Sequence, residues 1–245
     1  MIDLLLKPEK SFSSGIAIII DVLRATSTIV TALCNGAPFV LPVRTLSQAR
    51  KLRKKTVVLG GERGGVKPAD FDLGNSPLEY TQSALDGRGV ILSTTNGTRA
   101  ISLVRAREMA AACFLNLNSA VRAVSENEEV LLVCAGSYGR PSFEDTLCAG
   151  AIIYSSGRKD LTDSARVAKY LWKENRSRPL VDLLLESSHG MELCRYGFSE
   201  DIDYCAQMNI TDILPTAKCL LSERGAQKRE DLRKYGFRAF QFHHL

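Results

Sequence analysis

The chain has 245 residues, 45% of them hydrophobic and 24% charged, a globular composition that excludes disordered, collagen-like and fibrous classes. Domains usually run to roughly 100–200 residues, so the length admits one large unit or two small ones. The net charge of +5 comes from 32 basic and 27 acidic residues with no long like-charge run. That leaves a nucleic-acid tail without support and suits a small anionic partner equally well.

The apolar runs Ile2–Leu6 and Ile16–Ile20 are too short to span a bilayer. Asp3 lies at the start of the first, and no small-residue cleavage site follows, so neither a membrane span nor a signal peptide is expected. Seven cysteines are scattered without a C-x-x-C pair. Cys34, Cys113, Cys134 and Cys148 sit in apolar contexts and read as buried thiols of a cytoplasmic protein, not as a zinc site.

In chain order, Ile16–Ile20 reads as a strand buried on both faces. A helix over Ala25–Cys34 closes at Asn35-Gly36. A strand over Phe39–Val43, a basic helix over Ser47–Lys54 and a strand over Thr56–Leu59 follow, then a glycine-rich loop from Gly60 running to Asn75. Pro77 opens a helix ending near Asp86-Gly87. A strand over Gly89–Leu92 leads to a helix from about Thr98, and one over Val130–Cys134 leads to a helix from about Phe143. Past Lys159, mixed charge and leucine predict amphipathic helices broken at Arg178-Pro179. A helix and turn are expected across His189–Tyr204. Ile213-Leu214-Pro215 ends the regular part, and the aromatic tail Phe237–Phe242 is expected to pack on the surface.

This strand–loop–helix alternation predicts an α/β fold, layered α/β/α with largely parallel or mixed sheets. Leu33-Cys34-Asn35-Gly36-Ala37 resembles Leu147-Cys148-Ala149-Gly150-Ala151, and the same offset lays Ala17–Ile20 over Leu131–Cys134. The repeat suggests two similar halves, 1–125 and 126–245, or one compact unit.

Ligands of parallel sheets gather at the carboxyl ends of the strands. Four loops there are rich in polar residues. Asp21 directly follows a hydrophobic strand and either caps the next helix, holds a hard cation or acts as a nucleophile. Arg24, Thr26 and Ser27 at that helix start can meet an anion. The D-x-D-x-T pattern of HAD phosphatases is broken, since Leu23 and Ala25 stand at its second and third key positions. The second loop offers Glu62 and Arg63 between paired glycines, then Asp72 and Asn75; it is not a Walker A loop. The third, with Thr94, Thr95, Asn96, Gly97 and Thr98, is either an anion cradle or a capping motif. The fourth carries Arg140, Glu144 and Asp145. His189 is the one histidine away from the terminus. Several acids with Arg24, Arg63, Arg99 and Arg140 favour metal-assisted phosphoryl chemistry.

Ile20–Ser27, Gly61-Glu62-Arg63-Gly64-Gly65, Leu73–Pro77 and Ser93–Thr98 together resemble the 2-phosphosulfolactate phosphatase family. So do Val133–Gly136, Glu144–Ala151, and Ser188-His189-Gly190 followed by Gly197-Phe198 and Asp201. The likeness runs in order from about Ile2 to Pro215, and the stretch beyond is not covered. The resemblance implies a Mg²⁺-dependent phosphatase releasing phosphate from 2-phosphosulfolactate to give 3-sulfolactate, a product on one route to coenzyme M.

The resulting expectation has Asp21 and one or both of Glu144 and Asp145 holding Mg²⁺, with Glu62 as a further ligand. Arg24 joins Asp21, Glu144 and Asp145 as a catalytic group. Thr26, Ser27, Arg63, Asn75, Thr94–Thr98 and His189 bind substrate. An activated water attacks phosphorus, with an aspartyl-phosphate on Asp21 as the second mechanism. The alternative function is a non-catalytic binder of small phosphorylated or sulfonated acids. Neither nucleic acid nor membrane is an expected partner; a homo-oligomer is.

Overall fold

A computed structural model describes residues 1–217 and 237–241. Its strands are β1 (Ile2–Leu5), β2 (Ser11–Ile20), β3 (Val40–Pro42), β4 (Val57–Gly61), β5 (Gly89–Ser93), β6 (Val104–Ala112), β7 (Val130–Cys134), β8 (Ile213–Ala217) and β9 (Arg238–Gln241). Its helices are α1 (Ala25–Cys34), α2 (Leu46–Lys51), α3 (Gln82–Leu85), α4 (Gly97–Leu103), α5 (Leu117–Glu126), α6 (Phe143–Ser156), α7 (Asp163–Asn175), α8 (Leu180–Glu186), α9 (Ser188–Arg195) and α10 (Ser199–Cys205). The α/β class and the mainly parallel pairing are as the sequence predicts.

A six-stranded sheet runs β1-β7-β2-β6-β8-β9, parallel through β6 and antiparallel beyond it. A second sheet runs β3-β5-β4, all parallel. The alternation of β2 explains both packed faces. Ile16, Ile18 and Ile20 enter a core with α5, α6, α7 and α8. Ala17 and Ile19 enter another, shared by α1, α4 and the inner face of the small sheet. The small sheet's outer face packs Leu41, Leu59 and Ile91 against Ala49 of α2.

The two strands of the repeat are hydrogen-bonded neighbours, with Ala17 opposite Leu131 and Ile20 opposite Cys134. The stretches on either side of residue 125 thus share one sheet, since β7 pairs both β1 and β2. The helical part of the repeat diverges. Cys34 ends α1, exposed and beside Thr211, whereas Cys148 is buried inside α6. Cys34 is therefore not the buried thiol its apolar neighbours predict.

The predicted helix from Pro77 is two pieces, a 3-10 turn over Pro77–Glu79 and the short α3. Between them the buried Tyr80 donates its hydroxyl to Gly74 O, and Thr81 starts α3 afresh by accepting from Ala84 N–H. Strand β6 is absent from the sequence reading, as is α5. In the tail, Phe237 is fully buried and exchanges backbone hydrogen bonds with Val40, and β9 extends the main sheet. The expected surface packing is corrected there; the tail's other residues, Phe242 among them, lie outside those described. No helix among the described residues is long and apolar enough to cross a membrane.

Candidate active site

The carboxyl ends of β2 and β7 in the large sheet and of β4 and β5 in the small one turn toward a single pocket. Its wall includes Asp21, Arg24, Glu62, Asn75, Thr94, Thr95, Asn96 and His189. Four segments far apart in the chain therefore meet where strand-end chemistry is expected.

Asp21 is held by the turn it starts. Its Oδ1 accepts from Ala25 N–H at 3.0 Å, and its own N–H donates to Thr26 Oγ1 at 3.0 Å. The Thr26 hydroxyl donates back to Asp21 O at 2.8 Å, and Ser27 Oγ donates to Val22 O at 2.7 Å. Both hydroxyls are spent within the turn and sealed from solvent, so Thr26 and Ser27 position Asp21 and do not face the pocket. Gly97 clears space for the carboxylate. A Cβ there would stand 2.7 Å from Asp21 Oδ2 and 2.6 Å from Ala25 Cβ. Gly97→Ala is expected to cut turnover about tenfold or more by displacing the carboxylate. Turnover of that variant at the wild-type rate, in a protein melting normally, would show that Asp21 does not depend on this clearance.

Glu62 accepts from Thr95 N–H at 2.7 Å, Thr95 Oγ1 at 3.2 Å and Gly65 N–H at 3.0 Å, joining the glycine-rich loop to the end of β5. Arg63 is absent from the pocket wall. Its guanidinium donates to Ser93 O, Ser93 Oγ, Arg44 O and Glu62 O, which makes it a brace between β4 and β5. Thr98 donates to Thr94 O at 2.5 Å and lies behind the wall with Gly97. Of the expected cradle, only Thr94, Thr95 and Asn96 reach the pocket. Arg99 and Arg140 are exposed and off the wall, Arg99 reaching toward Gly139 beside the wall residue Tyr138.

Arg24 is the arginine of the pocket. Only 3% exposed, it pairs with Asp201 Oδ2 at 2.5 Å and lies 4.3 Å from the centre of the Phe198 ring. Asp201 Oδ1 accepts from Ser76 Oγ at 2.5 Å, fastening α10 to the loop before the 3-10 turn. Two buried polar atoms beside the pocket have no protein partner, Arg24 Nε and Asn75 Oδ1. Such atoms are the ones a polar ligand would satisfy.

Glu144 and Asp145 occupy the first turn of α6, behind Asp21 and not on the pocket wall. Asp145 accepts from Val22 N–H at 2.9 Å and Gly136 N–H at 3.0 Å, tying the end of β2 to the end of β7. Burial, followed by repulsion from Asp145, pushes the Asp21 carboxyl up to about 8. The same causes push Glu144 up to about 8, and burial raises Asp145 as well.

The family model of 2-phosphosulpholactate phosphatase matches residues 4–219. The chain belongs to the 2-phosphosulfolactate phosphatase family. A probable 2-phosphosulfolactate phosphatase of Pseudothermotoga lettingae is 48% identical over 215 residues, which cover 88% of this chain and 95% of that one. The corresponding protein of Thermotoga maritima is 43% identical across 88% of this chain and 94% of its own. That of Clostridium acetobutylicum is 38% identical across 84% and 91%.

For a phosphatase family, the charge on the pocket wall is informative. Glu62, Glu192 and the proton-retaining carboxyl of Asp21 face it, while Arg24 already has Asp201 as counter-ion. A cation entering with a phosphorylated acid would offset the acids on the wall and favour release of the proton that burial leaves on Asp21. Among the described residues no three His, Cys, Asp or Glu side chains form a ready metal cage. Mg²⁺ does not require one, because it keeps several waters and commonly takes one or two carboxylates plus phosphate oxygens. The hard-oxygen pair Asp21 and Glu62 fits that role on the wall, while Glu144 and Asp145 of the expected set lie off the wall, close enough to Asp21 to raise its carboxyl.

The sequence reading missed Tyr138, Glu192, Leu193 and Tyr196 on the wall, and it assigned no role to Ser76, Phe198 or Asp201. The one local signal was the His189–Glu192 spacing, which puts both side chains on one helix face.

Proposed function

We propose that the protein is a phosphoric monoester hydrolase that releases phosphate from 2-phosphosulfolactate, leaving 3-sulfolactate, with Mg²⁺ as its cofactor. The observation that carries this is the meeting of Asp21, Glu62, Arg24 and the Thr94–Asn96 loop on one pocket in a chain of this family.

Asp21 and Glu62 would hold the cation, which when bound neutralises the phosphoryl oxygens as a Lewis acid. Arg24 is fixed by Asp201 and Phe198, so its free N–H edge binds an anionic group without first paying to be ordered. Thr94 and Asn96 would offer a phosphate a hydroxyl and an amide, the donors of Thr95 being engaged by Glu62. Asn75, a residue of the wall, has a buried carbonyl oxygen without a protein partner, an acceptor for a water or a protonated oxygen that reached it. A water then displaces the substrate's C2 oxygen from phosphorus.

The test is phosphate release from 2-phosphosulfolactate with Mg²⁺ and again with excess EDTA, beside 2-phospholactate and p-nitrophenyl phosphate. Release that favours the sulfonated acid and stops with EDTA is expected. Folded protein that releases phosphate from none of the three would overturn the phosphatase reading in favour of a binder.

A further inference from the structure

The pocket has a second chemical pole, and it lies on α9. His189 and Glu192 both reach the wall, one turn apart, with Nδ1 of the imidazole 3.3 Å from Glu192 Oε2. The other carboxylate oxygen accepts from the Tyr138 hydroxyl at 2.6 Å and the Tyr196 hydroxyl at 3.4 Å. Glu192 is thereby clamped by three side chains from two segments. The Tyr138 bond, as the largest cause, holds its carboxyl below the usual range, so it stays ionised. The helix start is itself fixed. Ser187 Oγ accepts from Gly190 N–H at 2.9 Å, and a Cβ on Gly190 would meet Leu184 O at 2.0 Å.

An ionised carboxylate on Nδ1 makes that nitrogen the donor and settles the orientation of the ring. Nε2 has no hydrogen bond among the described residues and is not among their sealed, unpartnered atoms, which leaves it accessible on a side chain that lines the pocket. The other acids and phenols of the wall are committed, both tyrosines to Glu192. Asp21 and Glu62 are assigned to the cation. The Tyr138 proton is engaged by Glu192, which pushes that phenol up to about 12.

Resting on the phosphatase reading above, we propose that His189 is the general acid of the reaction and Glu192 its positioning residue. The leaving group is a secondary alkoxide, too basic to depart unprotonated at a useful rate. As the water oxygen bonds to phosphorus, the electron pair of the breaking P–O bond passes to the C2 oxygen. That oxygen takes the Nε2 proton. One proton of the attacking water leaves to solvent, from which the imidazole is recharged. Positioned general acids typically contribute about 10²–10⁴-fold.

The dependence on leaving group tests this directly, because an ester that departs as a weakly basic phenolate needs little protonation. Turnover of 2-phosphosulfolactate, phenyl phosphate and p-nitrophenyl phosphate is compared in wild type, His189→Gln and Glu192→Gln, all with Mg²⁺. His189→Gln is expected to lower the ratio of the alkyl-ester kcat to the p-nitrophenyl-ester kcat by about 100-fold. Glu192→Gln should move the ratio the same way by less, and it decides the question should His189→Gln fail to fold. An equal loss on every ester, or a rise in KM confined to the sulfonated one, would overturn the general acid and leave the phosphatase reading intact. Wild type that releases phosphate from none of the esters would overturn both.

Discussion

Asp21→Asn is expected to reduce phosphate release on the order of 10³-fold or more, the scale on which losing several kcal/mol of transition-state charge stabilisation acts. The amide keeps Oδ1 as acceptor for Ala25 N–H, and the Thr26 bonds to the Asp21 backbone do not involve the carboxyl. The turn therefore survives and only the charge is lost. That charge is costly to the apo protein, because burial and Asp145 push the carboxyl from 3.8 to about 8. Between those values the folded state holds a proton that the unfolded chain has released. Stability without metal is thus fully present below about pH 4 and falls as pH rises through about 8. In Asp21→Asn the part of this slope due to Asp21 is gone, and what remains reports Glu144 and Asp145. Urea midpoints at pH 5 and pH 8, without Mg²⁺, should lie closer together in the variant than in wild type. Near-normal turnover by Asp21→Asn would remove this carboxylate from the mechanism.

What could be read before folding was what local pattern controls. Ile16–Ile20 and Val130–Cys134 are continuous apolar runs because both faces of their sheet are covered, and an acid directly after such a run marked the site. Strand β6 was hidden because its residues, Arg105 to Glu108 and Ala110 to Ala112, are mostly helix formers. Pairing with β2 overrides that preference. That Arg63 lies off the wall was not legible, because residue type cannot reveal that a guanidinium will reach Ser93 and Arg44. The same holds for Thr26 and Ser27, since hydroxyls at a helix start serve the turn or a ligand with equal ease. Arg24 was legible as a residue of the strand-end turn, but its counter-ion Asp201 lies 177 residues away and has no local signature.

That distant pair carries the second large effect. Asp201→Ala would leave Arg24 buried without its counter-ion, and breaking such a pair costs about 3–5 kcal/mol. For a chain of this size each kcal/mol lowers Tm by about 2–4 °C, so a fall of roughly 6–20 °C is expected. The same substitution removes the acceptor for Ser76, loosening the loop that carries Asn75. Freed from Asp201, Arg24 would be drawn toward Asp21 and Glu62, occupying the carboxylates that the proposed cation would take. Turnover should fall with stability, and added Mg²⁺ should restore little. Arg24→Met combined with Asp201→Leu separates the two consequences, because exchanging both charges for apolar groups of similar length is commonly tolerated. The double variant is expected to recover most of the lost Tm and none of the lost turnover. Recovery of both would make the pair a purely structural link between α10 and α1. A single variant melting within about 1 kcal/mol of wild type would mean that Arg24 finds water or another carboxylate at no cost, as exposed ion pairs do.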